Sequence, residues 1–124
     1  TEEARITLLH ALNHAFSRCN FVIFDVVNTT DKFATLMQQS LLQQDTPLLG
    51  AATTRTLDEW NQQLMRSGSR HVRSWLMSDV YERMIDRTER NRIERIEFLD
   101  EVELLTQLFN HYCLVIASNH TEVD

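Results

Sequence analysis

The sequence has 124 residues and a formal net charge of −6 at pH 7, and its apolar fraction of 43% is ordinary for a globular protein. Two glycines and one proline exclude a flexible linker or a low-complexity tract, and no apolar run approaches the roughly 18–20 residues that span a bilayer. Cys19 and Cys113 lack metal-type spacing and lie at or in apolar runs, so we expect reduced core thiols. With no secretory signal pattern, these features favour a cytoplasmic location.

The first helix is predicted by Thr1, an N-cap residue, and by the acidic first turn after it. His10 and His14 on this helix lie four residues apart, which is also a metal-ligand spacing. Because no third ligand accompanies them, we expect exposed helical histidines. Apolar residues at helical spacing predict one buried stripe. Its members are Leu8, Leu9, Leu12, Ala15 and Phe16.

The run from Phe21 to Val27 reads FVIFDVV, and its β-branched and aromatic residues predict a strand. Because the run is apolar on both faces, we expect a central parallel strand that is covered by helices. Asp25 interrupts the run near its carboxyl end, where open α/β sheets place their ligands. The position is equally typical of a ligand-binding carboxylate and of a solvated carboxylate at a strand end.

Two helices and a second strand are predicted next. Thr30 and Asp31 can cap the first helix, and Thr56 with Glu59 forms a capping box for the second. The run from 71 to 77 reads HVRSWLM and predicts a strand. The inward-facing residues are predicted to be Phe33, Leu36, Met37 and Leu41 in the first helix and Leu57, Trp60 and Leu64 in the second.

The last third begins with five arginines among acidic residues between Arg83 and Arg95, and this mixture favours a solvated, salt-bridged surface. The run from Tyr112 to Ala117 reads YCLVIA and predicts a third strand, which either continues the sheet or inserts beside an earlier strand. The alternation of helices and strands predicts an α/β sheet with helices on both faces. A helical stripe before the last strand is formed by Phe98, Val102, Leu105 and Phe109.

Recognisable catalytic motifs are missing from this sequence. Two glycines cannot make a glycine-rich phosphate loop, and neither a G-x-S-x-G elbow nor metal-type ligand spacing occurs. Adjacent carboxylates such as Asp100 and Glu101 diverge by about 100° on a helix, so they cannot converge as an acid–base pair. The residues by themselves predict an α/β domain without a self-sufficient active site.

A specific series of polar and apolar residues runs from 92 to 117. Its segments are Arg92-Ile93-Glu94, Glu97-Phe98-Leu99-Asp100-Glu101, Glu103-Leu104-Leu105, Gln107-Leu108, His111-Tyr112-Cys113-Leu114 and Ala117. The series resembles the C-terminal end of the leucine carboxyl methyltransferases, which methylate the C-terminal leucine of the protein phosphatase 2A catalytic subunit. Weaker similarity extends back to Thr1. The resemblance implies that residues 1–124 are the C-terminal portion of a single methyltransferase domain.

The resemblance implies a Rossmann-like class I methyltransferase sheet whose last strand is antiparallel. In that scheme FVIFDVV is strand five, HVRSWLM is strand six and YCLVIA is strand seven. The family's glycine-rich motif for S-adenosylmethionine lies further upstream, so we expect the N-terminal cofactor-binding portion to be absent from this chain. We therefore expect the fragment alone to be inactive and to need the N-terminal portion of the same enzyme as a partner.

The family reaction is methyl transfer from S-adenosylmethionine to an α-carboxylate, which needs orientation and cationic or hydrogen-bonding groups rather than a strong base. Arg92 matches a family arginine near the substrate end of the sheet, so the resemblance makes it a substrate-binding residue. Arg87 and Arg95 are secondary choices. A salt bridge from Arg92 to Glu94 or Glu97 is the alternative.

A departure from the family occurs on the first strand. The family usually has Tyr-Glu-Gln where this chain has Phe24-Asp25-Val26, so the acid is shorter and the amide is lost. Asp25 is the second substrate-binding residue that the resemblance suggests.

Two other functions compete with the leucine-directed enzyme. The related wybutosine-type enzymes methylate a carboxyl group on transfer RNA, and a phosphate footprint could come from Arg66, Arg70, His71 and Arg73 together with 83–95. The acidic net charge argues against nucleic acid. The altered first strand and the missing cofactor motif are also compatible with a non-catalytic methyltransferase-like interaction domain.

Overall fold

The computed structural model describes residues 1–96 and 100–121. Its strands agree with the three predicted runs to within one residue at each end, so the chain is α/β as expected. The strands are β1 (Asn20–Val26), β2 (His71–Leu76) and β3 (Tyr112–Ser118). The helices are α1 (Glu2–Ala15), α2 (Lys32–Gln43), α3 (Leu57–Arg66), α4 (Met77–Asp79), α5 (Arg87–Ile96) and α6 (Val102–Phe109), with a π-helical turn at Val80–Met84.

The three strands form one sheet in the order β1-β3-β2, with β3 antiparallel to both neighbours. Asp25 of β1 and Leu76 of β2 both pair with Cys113, near the start of β3. The carboxyl ends of β1 and β2 therefore lie at the same edge of the sheet as the beginning of β3. The predicted antiparallel last strand is confirmed, and it inserts between the two earlier strands.

The expectation that β1 is a central parallel strand is wrong for the described residues. Within them β1 pairs with β3 alone and is an edge strand. Val22 and Phe24 on one of its faces are 71% and 61% exposed. Periodicity showed that both faces are apolar, but apolarity does not specify which strand or helix lies against each face. The predicted helices on both faces of the sheet are accordingly not seen at this strand.

The hydrophobic core lies between β3 and the helices α1 and α3. Leu9 of α1 and Leu64 of α3 are buried together with the alternate residues of β3 that point toward them. The period of two in a strand places these residues on one face of the sheet. The complete cluster of buried residues is Leu9, Val27, Trp60, Leu64, Cys113, Val115 and Ala117.

The predicted apolar stripe of α1 is confirmed only in part: Leu9 is buried and Leu12 is half-buried, but Leu8 and Phe16 are 60% and 55% exposed. The helix instead turns Arg5, Leu9 and Asn13, which are spaced by four, toward α3 and its flanking loops. Arg5 donates to the side chain of Gln63, and Asn13 donates from Nδ2 to the backbone oxygen of Ser67 at 3.0 Å. The contacts of Arg5 and Asn13 thus orient α1, and the face that they turn toward α3 is not the one that the apolar pattern predicts.

The predicted helix starts are confirmed by hydrogen bonds. Asp31 Oδ1 accepts from the backbone N–H of Ala34 at the start of α2, and Thr56 and Glu59 make both bonds of a capping box on α3. Gly68, just past the end of α3, has φ +99°, a left-handed conformation that suits a glycine. None of the described helices combines the length and apolarity needed to cross a membrane.

The inner faces of α2 and α3 are largely as predicted. Trp60 and Leu64 are buried, whereas Leu36 of α2 is exposed, contrary to expectation. In the stripe before β3, Leu105 and Phe109 are half-buried but Val102 is exposed, so its predicted inward position is wrong. Phe98, the first member of that stripe, lies outside the described residues.

Candidate functional site at the carboxyl end of β1

Asp25 lies at the sheet edge where ligands of open α/β sheets bind. Its Oδ1 accepts a 2.7 Å hydrogen bond from the backbone N–H of Val26. The side chain also lines a cavity of about 260 Å³ whose other wall is the loop formed by 47–51. The structure therefore places Asp25 beside an open space rather than in an ion pair within the described residues.

The turn that leaves β1 is fixed by hydrogen bonds to two other segments, the α2–α3 loop and the end of α6. Asn28 adopts a left-handed backbone with φ 56°, which asparagine tolerates better than most residues. Its backbone N–H donates to the oxygen of Arg55 at 2.7 Å, and its Nδ2 donates to the oxygen of Asn110 at 2.7 Å. Thr29 donates from Oγ1 to the oxygen of Ala51. The turn thus has one well-defined conformation at the candidate site.

The side chains of Asp31 and His111 are in hydrogen-bond contact beside this turn, with Nε2 of His111 2.9 Å from Oδ2 of Asp31. The N–H of Ala34 and then His111 hold the pKa of the Asp31 carboxyl below its usual value. The two residues are 80 positions apart in the sequence. The sequence predicts Asp31 as a helix cap and His111 as part of the family series, and no local signal connects them.

A polar hollow of about 540 Å³ opens next to Asp31 and His111. Its walls come from the β1–α2 turn and from the last turns of α6. The lining residues are Asn28, Thr30, Asp31, Glu103, Thr106, Gln107, Asn110 and His111. This hollow and the cavity beside Asp25 both adjoin the carboxyl end of β1, which makes that edge the candidate functional site.

Arg92 lies on α5 and is not among the described residues that line either cavity. Its Nε and Nη2 donate to the two carboxylate oxygens of Glu89 at 2.8 and 2.7 Å, and both side chains are solvent-exposed. Arg92 therefore forms a salt bridge on its own helix, as the alternative predicts, but its partner is Glu89 rather than Glu94. The other predicted partner, Glu97, lies outside the described residues.

The arginine-rich segment forms local ion pairs, as its mixed charges predicted. Arg83 pairs with Asp79 at 3.2 Å, and Arg90 lies 3.8 Å from Glu94. Arg87 and Arg95, the secondary substrate-binding choices, are exposed on α5. Exposed pairs of this kind contribute little to stability, so the segment is a solvated surface.

His10 and His14 are exposed on α1, and their rings stack with centroids 4.0 Å apart. Within residues 1–96 and 100–121, no group of three or more His, Cys, Asp or Glu side chains is arranged to hold a metal ion. The predicted exposed histidines are confirmed.

Cys113 is buried under the core helices, and Cys19 is half-buried, both as free thiols. Burial first, and the nearby Asp25 carboxylate second, raise the pKa of the Cys113 thiol to about 11. Because the thiolate is the reactive form, this thiol should be inert at neutral pH.

We expect Cys113 in a Cys19→Ser variant to react with a disulfide reagent at pH 8 at least about 100-fold more slowly than an unfolded thiol, given the difference in thiolate fraction. Spectrophotometric labelling with and without denaturant measures this ratio. The Cys113→Ser variant, which leaves only Cys19, is the matched control. Equal labelling rates of Cys113 in the folded and unfolded protein would contradict the burial of its thiol.

The chain is similar to known proteins over most of its length. Leucine carboxyl methyltransferase 1 of Bos taurus is 36% identical over 118 residues, which are 95% of this chain and 35% of that protein. The protein of the same name from Caenorhabditis elegans is 31% identical over 115 residues, covering 93% of this chain and 34% of its own length. The chain belongs to the leucine carboxyl methyltransferase family.

The chain spans about a third of the length of these methyltransferases and matches their C-terminal part. No protein-family model matches it. A second kind of relative also occurs: the tRNA wybutosine-synthesizing protein 4 of Rattus norvegicus is 27% identical over 103 residues, covering 83% of this chain and 15% of that protein. The two kinds of relative differ in what their names say they act on.

Proposed function

We propose that this chain is the C-terminal portion of an S-adenosylmethionine-dependent carboxyl methyltransferase that esterifies the C-terminal leucine of the protein phosphatase 2A catalytic subunit. The observation that carries the proposal is the similarity to leucine carboxyl methyltransferase 1 over 95% of the chain. The antiparallel β3 between β1 and β2 supports the assignment of β1, β2 and β3 as strands five, six and seven of a Rossmann-like sheet.

The described residues do not offer a complete cofactor site. Gly50 and Gly68 lie in separate loops, so they do not form the glycine-rich turn that would approach the cofactor's ribose and amino acid. S-adenosylmethionine supplies an activated methyl group when bound, and we assign its binding mainly to the N-terminal portion of the enzyme. The role left to this chain is to form the substrate side of the site.

The substrate side has to hold a carboxylate that is already ionised, because an α-carboxyl group has a pKa of about 3.5. Catalysis then depends on orienting one carboxylate oxygen toward the methyl group. The hollow beside the turn through Asn28 is lined by Thr30 and Gln107, whose hydroxyl and amide groups can donate hydrogen bonds to a carboxylate, and also by the acidic side chains of Asp31 and Glu103. Arg92 lines neither cavity, so its proposed role in binding the substrate carboxylate rests on its match to the family arginine and requires release of Glu89.

The exposed edge of β1 is where we place the N-terminal portion. Val22 and Phe24 leave an apolar surface on this strand, and the outer edge of β1 has no strand partner within the described residues. An unpaired apolar edge strand is normally covered or paired in a stable protein. The greater length of the family members makes a preceding strand of the same sheet the natural cover.

The proposed substrate is tested by offering the full-length protein two acceptors. One is a peptide with the phosphatase tail sequence, and the other is transfer RNA that carries the unmethylated wybutosine precursor. We expect methyl transfer from labelled S-adenosylmethionine to the peptide. Transfer to the RNA alone would favour the second candidate, which the similarity to wybutosine-synthesizing protein 4 supports. Transfer to neither would favour a non-catalytic interaction domain.

Replacing Arg92 with Ala should raise the KM for the peptide about ten-fold or more if the guanidinium binds its carboxylate, as expected for a lost charge-assisted hydrogen bond. The matched control is Glu89→Ala, which removes the same salt bridge but keeps the cation, and its KM should not rise. Steady-state kinetics with the peptide measures both. An unchanged KM and kcat in Arg92→Ala would remove the residue from the substrate site.

A further inference from the structure

Helix α5, which carries Arg92, has no buried face of its own. All of its residues except the half-buried Arg90 are solvent-exposed, and the apolar side chains of Ile93 and Ile96 are 39% and 71% exposed. A helix of this length is marginal in water unless other parts of the protein stabilise it. The contacts of a few individual side chains therefore decide where α5 lies.

Tyr81, in the π-helical turn before α5, makes most of these contacts. Its hydroxyl donates to Oε1 of Glu94 at 3.0 Å, and the guanidinium of Arg90 lies over its ring, 5.9 Å from the centroid. Arg90 also donates to the backbone oxygen of Glu82 at 3.2 Å. Among the described residues, the hydrogen bonds and ring contacts that join α5 to elements beyond the adjacent Asp86 all involve Arg90 or Glu94.

The ring of Tyr81 is also attached to the candidate site. It contacts Phe109 at the end of α6, with centroids 5.4 Å apart. Phe109 precedes Asn110, whose backbone oxygen accepts a 2.7 Å hydrogen bond from Nδ2 of Asn28 in the turn after β1. One half-buried side chain thus connects α5 to the α6–β3 junction, and this junction is bonded to the turn at the carboxyl end of β1.

We propose that Tyr81 is a positioning residue that fixes α5, and Arg92 with it, relative to the substrate side of the methyl-transfer site. Arg92 lines neither cavity and is bound to Glu89 on its own helix, so its distance from a bound substrate depends on where α5 lies. Tyr81 itself need not touch the substrate. The part of the inference that concerns Arg92 rests on the proposed function.

The attachment of α5 by Tyr81 is tested by hydrogen exchange of backbone amides in the full-length protein, without substrate. Tyr81→Phe keeps the ring against Phe109 but removes the donor to Glu94. We expect the amides of 91–96 to exchange about 2–10-fold faster, the scale set by one lost hydrogen bond. Unchanged exchange of these amides would overturn the proposal.

The second tyrosine of the chain provides the matched control. Tyr112→Phe is the same chemical change, but the ring of Tyr112 stacks on Phe24, and its hydroxyl has no hydrogen bond within the described part of the chain. This variant should leave the exchange of 91–96 unchanged. Equal acceleration in both variants would mean that the effect on α5 does not come from the hydroxyl of Tyr81, which would also overturn the proposal.

The effect on Arg92 is tested by a double-mutant cycle in the full-length protein. Tyr81→Phe should raise the KM for the phosphatase-tail peptide about 2–10-fold and leave kcat within about two-fold, since a misplaced binding group weakens ground state and transition state alike. Partial unfolding would lower kcat instead. In the Arg92→Ala background, Tyr81→Phe should raise KM no further. An equal rise in both backgrounds would overturn the role of Tyr81 in positioning Arg92.

The outcomes separate this inference from the proposed function. If the unsubstituted protein methylates no carboxyl substrate, the proposed function fails, and the role of Arg92 fails with it. The exchange measurement needs no reaction, so faster exchange in Tyr81→Phe would still support the attachment of α5 by Tyr81, and unchanged exchange would still overturn it.

Discussion

Replacing Leu64 with Ala should lower the free energy of unfolding by about 2–5 kcal/mol, the range found for large-to-small substitutions in cores. Leu64 is fully buried on α3 and belongs to the cluster formed with Leu9, Trp60 and the inward residues of β3. Removing three carbon atoms there leaves a cavity between the helix and the sheet. Urea denaturation of the variant and the unsubstituted protein measures the loss.

The neighbouring residue provides a matched control for this effect. Met65 lies on the same helix but is 55% exposed, so Met65→Ala should change the free energy of unfolding by less than about 0.5 kcal/mol. Similar losses in both variants would mean that α3 does not pack against the sheet through Leu64. The core described above would then be wrong.

Replacing Gln63 with Met should cost about 2–4 kcal/mol, because it leaves hydrogen-bonding groups of a partly buried cluster without partners. Arg5 donates from Nη2 and Nε to Oε1 of Gln63 at 2.6 and 3.0 Å. Gln63 donates in turn to the backbone oxygen of Thr53. The guanidinium also stacks over the ring of Trp60, 4.7 Å from its centroid. Methionine fills the same space but makes none of the hydrogen bonds.

The exposed neighbour Gln62 serves as the control for this substitution. Gln62→Met should leave the free energy of unfolding within about 0.5 kcal/mol of the original value. The Arg5→Met and Gln63→Met substitutions should cost less together than the sum of their separate costs, because each removes the same interaction. Additive losses would contradict direct coupling of the two side chains.

The strands and helix starts could be predicted because their signals are local. FVIFDVV, HVRSWLM and YCLVIA are short, β-branched runs, and each falls on a strand of the sheet. The capping box of Thr56 and Glu59 spans three residues, so its hydrogen bonds follow from the sequence spacing alone. The family resemblance was predictable for a similar reason, since its residues form one continuous series.

The parts that were mispredicted depend on contacts between distant residues. The rotation of α1 is set by Arg5 and Asn13 through partners 58 and 54 residues away, and an apolar pattern does not report such polar contacts. The edge position of β1 depends on which strands are its neighbours, which periodicity does not specify.

In the candidate site, too, the features with a local sequence signal were predictable and the contacts between distant residues were not. The position of Asp25 at a strand end was predictable from its run. The contact of Asp31 with His111 was not, because it joins the start of α2 to the α6–β3 junction, 80 residues away in the sequence. The salt-bridge partner of Arg92 was mispredicted although it is close in the sequence. Glu89 and Glu94 both lie within about one helical turn of it, so the choice between them depends on side-chain conformation.

The central claim is that this chain forms part of an enzyme that methylates a C-terminal carboxylate. The most direct measurement compares two leucine-terminated peptides with the phosphatase tail sequence, one with a free carboxylate and one with a C-terminal amide, incubated with the full-length protein and labelled S-adenosylmethionine. We predict a base-labile methyl ester on the first peptide and no label on the second. Equal labelling of both peptides, or label that survives base, would contradict carboxyl methylation.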